Sequence, residues 1–429
     1  MQQPVTLTED LRRLVPGDGS APLSPLIVGH LGLSSAFNLD DAVLAAAGFA
    51  NTAFGVEEVD ADRVRTAVTT HVTRDGQRVA GWAPLSGYYD TSDGGHIQLH
   101  CNFPHHESGV VQRLRCEPRR YSVQEAILGW DPLELEAQLI EDGMIAANLR
   151  TLDEWDGHPH AIATRHLPPI TVTRVADGEP RKDSTPTRVL DCSRVLAGPI
   201  AGQLFAAHRA DVLRIDSPIL PSVEICVMAT GSGKRNAHVD LTSAEGASTM
   251  RTLLDGTDVW IDAYRPGTMA DRGFDVDALP EGVVAVRLSA FDNVGPWAGR
   301  RGFDSIVQST TGIVRAGAEA SGTNKPTPLP VQALDYMTGF LAAGAAERAR
   351  QHQRQEGGTW LVEVSLLRTR NWLLSLGGPH TFEPTAVDPS SDHLVTMTTD
   401  FGELTTPRPI SGDLASPPYL LGTHEPVWR

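Results

Sequence analysis

In the second half of the chain, short apolar runs alternate with stretches of helical period. Residues 188–191, 211–215, 258–262, 283–288 and 361–365 read as strands, and 244–254 and 338–350 as helices between them. Alternation of this kind predicts an α/β fold, a Rossmann-like and mostly parallel sheet covered by helices on both faces. In such a sheet, ligands gather beyond the carboxyl ends of the strands, so the loops after each strand carry the chemical information.

The first half has a different rhythm. Helical periods cover 41–50 and 123–149, the latter entered through Ser122 with Glu125 three residues on, a capping-box spacing. Between them, 87–94 followed by 96–100 reads as a hairpin, and the mixture predicts a smaller α+β unit. Pro, Gly and charge cluster in 166–187 without an apolar period, which reads as a linker. The expected organisation is therefore a small unit over 1–165 with an N-terminal helical segment and a linker over 166–187. A Rossmann-like ligand-binding unit follows over 188–375, and a tail over 376–429 packs on the rest.

Composition narrows the classes of function. With 429 residues, 41 % hydrophobic and 21 % charged, the chain has the make-up of a globular protein of two or three units. A formal net charge of −17 excludes a general nucleic-acid or anionic-membrane surface but leaves room for a small anion held by a local basic cluster. No apolar run approaches the roughly 18 residues of a membrane span. Cys101, Cys116, Cys192 and Cys226 are scattered, and the N-terminus has no basic segment leading into an apolar one, so a reduced, cytoplasmic protein is expected. The histidines at 96, 100, 105 and 106 match no compact zinc spacing, and no metal is expected. They read as hairpin surface or as a face turned toward a substrate.

Chemistry concentrates at Asp335, in the first turn of the long Ala-rich helix. A helix N-terminus favours the ionised form, so an anionic carboxylate is expected there at neutral pH, able to attack an activated carbonyl. The same residue is equally compatible with an ordinary helix cap. Gly339 and Gly344, four and nine residues on, each cost about 1 kcal/mol in a helix relative to alanine and mark places where another group comes close. Residues 231–235 suggest a phosphate loop but fail its pattern, because Met228 stands where a glycine is needed and Arg235 replaces Ser or Thr. Lys234 and Arg235 remain candidate partners for phosphate, or solvated surface.

Six segments in series, 194–199 (RVLAGP), 233–235 (GKR), 265–267 (RPG), 295–296 (GP), 302–304 (GFD) and 335–339 (DYMTG), resemble the family III CoA-transferases in order and spacing. That group includes formyl-CoA transferase and alpha-methylacyl-CoA racemase. Residues 82–94 and 134–155 look like the family's small domain, here placed before the nucleotide-binding fold rather than after it.

The resemblance implies a covalent aspartyl mechanism with Asp335 as acyl acceptor, and coenzyme A or acyl-CoA as substrate with no tightly bound cofactor. A carboxylic acid is the other partner, and a homodimer is expected. It implies CoA contacts from Val195, Leu196 and Ala197 along the ligand, from Lys234 and Arg235 to its phosphates, and from Ala263 and Tyr264 beside the adenine or pantetheine. Arg301 and Phe303 fall near the reacting thioester, Asp304 and Gly339 in supporting places. Val195 and Leu196 are equally compatible with core, Tyr264 with packing, and Asp304 with a helix cap. Ser217 and Pro218 stand where the family usually has a basic residue. Phe303 replaces the histidine of the racemases and cannot exchange a proton, which argues against racemisation. An acyl-CoA isomerase or lyase, and a CoA-binding protein without catalysis, are the alternatives.

Overall fold

A computed structural model describes residues 4–16, 23–182, 185–323 and 325–429. Its centre is a seven-stranded sheet, in the order Arg235–His238, Asp211–Asp216, Arg188–Cys192, Val259–Asp262, Val284–Ser289, Thr359–Ser365 and Thr171–Ala176. The first six strands run parallel and the last is antiparallel to its neighbour. Val189, Leu190, Val212, Leu213, Ile261 and Val286 are buried, which explains why these strands read as continuous apolar runs rather than alternating ones.

The α/β architecture and all five expected strands are present. Two further strands of this sheet are additions. Arg235–His238 pairs parallel to Asp211–Asp216 although it carries three polar residues. Thr171–Ala176 lies inside the stretch expected to be a linker. Its β-branched alternation, Thr171, Val172, Thr173 and Val175, suits an edge strand, and it pairs with Thr359–Ser365. Part of the expected linker, residues 183 and 184, falls outside the described residues.

In the first half, the hairpin forms from Gly87–Asp90 and His96–Leu99, and Ala146–Asn148 adds a third strand. The single helix expected over 123–149 is instead two helices, Arg120–Ile127 and Pro132–Glu141, followed by that strand. Pro132 forces the break, because a new helix starts there with Asp131 accepting the N–H of Glu134 at 2.9 Å.

The long helix Ala333–Glu356 runs through the largest core and is buried along most of its length. Its glycines mark the crossings. A Cβ on Gly339 would lie 2.7 Å from the Ala197 carbonyl oxygen, and one on Gly344 would lie 2.7 Å from the Phe49 ring. Helix Ala197–Ala207 therefore packs on one part of it and helix Leu39–Ala53 on another. The N-terminal helix thus shares a core with the sheet rather than belonging only to the hairpin unit. The tail contributes Leu394–Thr399 and Gly402–Pro407, which pair with each other and, through the latter, with Thr73–Arg74. Among the described residues no helix is long and apolar enough to cross a membrane.

Candidate active site

Beyond the carboxyl ends of the strands lies a cleft of about 450 Å³. Its floor comes from the loop after Arg188–Cys192, where Val195, Leu196 and Ala197 line it. Val195 holds φ at +68°, a left-handed conformation that a β-branched side chain adopts only at a cost of about 1–3 kcal/mol. The turn it makes brings Ala197 to the start of the next helix, with its N–H free of the helix ladder.

That N–H faces the carboxylate of Asp335, which also lines the cleft, and favours its ionised form. Asp335 is not the cap of its own helix, since Gln332 holds that position. Capping falls to Asp304, fully buried, whose carboxylate accepts the backbone N–H groups of Asp335, at 2.9 Å, and of Leu334, together with the Gln308 side chain. Asp304 therefore serves a helix other than the one it begins, Asp304–Thr310.

The two carboxylates meet at one helix end, and this reverses the expected ionisation. Asp335 lies well above the usual carboxylate range, first because burial strips its water and second because Asp304 is close, while the Ala197 N–H pulls only partly the other way. Asp304 is raised by burial to about 6. The favourable helix end is largely used by Asp304, so desolvation outweighs the dipole at Asp335.

Of the other sequence-derived positions, Ala263, Tyr264, Arg301 and Phe303 line the same cleft. Gly339 does not; its place is the contact with Ala197 and Ile200 that holds two helix starts together. Alanine there would gain about 1 kcal/mol of helix propensity but add a Cβ against backbone, where overpacking costs about 1–3 kcal/mol. Gly339→Ala is expected to lower the melting temperature modestly and turnover disproportionately, because the Ala197 N–H is pushed off Asp335. Rates measured well below the melting temperature separate the two effects.

Lys234 and Arg235 stand elsewhere. Lys234 is 2 % exposed, its Nζ donating to Asp191 Oδ2 at 2.8 Å and to the Pro199 carbonyl at 2.6 Å. Arg235 forms a two-pronged pair with Asp211, at 2.9 and 2.8 Å, and a bond to the Val427 carbonyl. With those partners neither points into the cleft, and their polar sequence context concealed two buried ion pairs. Lys234→Met leaves the Asp191 carboxylate charged in the core with the Ser193 hydroxyl but no ion-pair partner, so a loss of about 3–5 kcal/mol is expected in denaturant titrations.

Positive charge reaches the cleft from other residues, Arg194, Arg265, Arg272, Arg300 and Arg301, with Arg265 and Arg272 exposed at the mouth. Arg194 and Arg265 sit inside the motif segments, but a motif does not say which of its side chains turns outward. Ser217 also lines the cleft, without the charge expected from a basic residue there. His105 and His106 line it as well, whereas His96 is on the hairpin and His100 stacks on Phe303 at 4.1 Å. Among the described residues no group of three or more His, Cys, Asp or Glu is placed to hold a metal ion.

Residues 186–378 match the family model described as CoA-transferase family III. That segment carries six of the sheet's seven strands and Asp335. A relative from Hypoxylon pulicicidum, named an acetyl-coenzyme A transferase, is 28 % identical over 233 residues, covering 53 % of this chain and 37 % of that protein. A relative from Mycobacterium tuberculosis, named a probable fatty acyl-CoA transferase, is 30 % identical over 203 residues, covering 44 % of this chain and 51 % of that protein. The chain thus spans about half or less of the length of these curated relatives. A solved structure of a hypothetical protein from Mycobacterium tuberculosis has 28 % identity and a TM-score of 0.38, covering 46 % of this chain and 57 % of that one.

Proposed function

We propose that the protein moves CoA from an acyl-CoA donor to a carboxylic acid acceptor, with Asp335 as covalent acyl acceptor. The observation that carries this reading is a buried aspartate, inside the segment that matches the CoA-transferases, that lines the cleft beside the Ala197 N–H. Asp335 attacks the thioester carbonyl and CoA leaves as thiolate, giving a mixed anhydride. The thiolate then attacks the aspartyl carbonyl, forming aspartyl-CoA and releasing the donor's acid. The acceptor carboxylate attacks aspartyl-CoA to make a second anhydride, and the thiolate attacks its acyl carbonyl, returning Asp335 as carboxylate. Each step exchanges one activated acyl bond for another, so no external energy source is required.

The raised pKa fits this role, because a more basic carboxylate is a stronger nucleophile once ionised. The Ala197 N–H is placed to stabilise charge developing on the aspartyl oxygen. For the coenzyme, Val195, Leu196, Ala197, Ala263, Tyr264, Arg301 and Phe303 remain the proposed contacts. Arg194, Arg265 and Arg272 are proposed in place of Lys234 and Arg235 for its phosphates. A homodimer and a cytoplasmic location belong to the same reading, and light scattering tests the first.

A second reaction class is supported by one observation. Asp304, raised to about 6, suits a general base in an acyl-CoA isomerase or lyase. Its bonds to the helix N–H groups and Gln308 occupy that carboxylate, which weighs against it. Acceptor dependence separates the two: transferase turnover requires an added acid, and isomerase turnover does not.

A further inference from the structure

Gln308 stands one turn after Asp304 on helix Asp304–Thr310, 1 % exposed, with both ends of its side-chain amide engaged. Its Oε1 accepts the backbone N–H of Leu329 at 2.8 Å, in the stretch that leads to helix Ala333–Glu356. Its Nε2 donates to Asp304 Oδ1. A backbone N–H can only donate, so Leu329 holds the amide one way round, and the end facing Asp304 is the donor.

The consequence falls on the two carboxylates. Asp304 Oδ2 accepts the Asp335 N–H at 2.9 Å, so each of its oxygens receives a hydrogen that belongs to a neighbour. Hydrogen bonds to the charged form of an acid favour that form, so the network favours charge on Asp304 and a proton on Asp335. The other titratable groups acting here are Tyr88 of the hairpin, near Asp304, and Cys226 of helix Glu224–Thr230 and Tyr336, near Asp335. Burial raises all three, to about 12 for Tyr88 and Cys226, so they are uncharged at neutral pH and the choice falls to the hydrogen bonds.

We propose that Gln308 is a positioning residue for CoA exchange: its locked amide keeps the charge of the pair on Asp304 and the proton on Asp335. The inference rests on the transferase reading and deepens it. The group that attacks the thioester is then the more basic of the two carboxylates, and Asp304 is a fixed negative neighbour. Before the attack, the Asp335 proton passes to solvent in the cleft, because both Asp304 oxygens are engaged by donors. Asp335 then attacks as the anion, and no further proton moves.

Infrared titration of the carboxyl bands of the full chain reads the proton's place without any substrate. Of the pair's two steps, Asp335→Asn is expected to abolish the one at higher pH and leave the lower in place, because Asp304 already has a neutral neighbour when it titrates. Asp304→Asn should remove the lower step and bring the upper one down. Gln308→Met keeps the length of the side chain without its donor, and should reverse the order, so that in its background Asp304→Asn leaves the lower step in place. The acid limb of kcat/KM for exchange should fall with it by about one pH unit or more, and not shift at all in an Asp304→Asn background. A residue that only packs would lower turnover without moving the limb. Thermal melts confirm that each variant is folded, with Gln308→Leu as the second substitution of similar size. An upper step that survives Asp335→Asn, an order or limb unmoved by Gln308→Met, or an equal shift in the Asp304→Asn background overturns the inference. If the infrared steps behave as expected but no acid accepts CoA, the transferase reading fails while the proton's placement by Gln308 stands.

Discussion

Asp335→Ala is expected to abolish acceptor-dependent CoA exchange, by on the order of a thousandfold or more, while leaving the fold and CoA binding in place. On the proposed mechanism the substitution removes the atom that forms the acyl bond, and the groups left behind offer no replacement. Asp304 is turned toward the helix N–H groups and is held by Gln308. Incubation of the unaltered protein with an acyl-CoA, followed by hydroxylamine, should leave a hydroxamate at position 335 that peptide mass spectrometry finds. A variant that retains full exchange, or an adduct elsewhere, would end the assignment.

The second large effect is on pH. In the proposed mechanism exchange requires Asp335 ionised, and burial followed by Asp304 holds its pKa well above the usual carboxylate value of 3.8. Turnover should therefore fall on the acid side at a pH well above that of an ordinary carboxylate. Asp304→Asn keeps an acceptor for the Asp335 N–H but removes the neighbouring charge, so the acid limb should move to lower pH. A shift to higher pH would contradict the electrostatic account.

The same shift has a stability counterpart of definite sign. A carboxyl whose folded pKa exceeds its unfolded value contributes stability that is fully present below the unfolded value, near 3.8, and is lost as pH rises through the folded one. Asp335→Asn carries no charge at any pH. It should melt at a higher temperature than the unaltered protein at pH 8, with the gap closing in acid, although it cannot catalyse. Melting curves across that range decide it.

How far the sequence showed this site depends on what kind of signal each residue leaves. The parallel sheet was legible because Val189, Leu213 and Val286 sit in runs that only a strand buried on both faces requires. Asp335 stood out in the sequence because it is a carboxylate in the first turn of a helix whose first half is otherwise mostly small and apolar. Gly339 and Gly344 correctly announced close neighbours, but not that these were helices. Lys234 and Arg235 were misleading, because a basic pair in a Gly-rich loop looks the same whether its partners are phosphates or the distant Asp191 and Asp211. The pKa of Asp335 was hidden for a related reason. The helix end visible in the sequence is claimed by Asp304, thirty-one positions earlier, and only the folded chain brings the two together.

The crossing of Leu39–Ala53 over Gly344 bears on how the helix that carries Asp335 can be dissected. Phe49 and Ala50 press directly on that glycine, so a fragment cut to 186–378 would bare an apolar seam along the very helix that begins beside Asp335. Asp335 would then ride on an unsupported rod, prone to stick to other copies. Helix Leu39–Ala53 is thus a splint for the helix that carries Asp335.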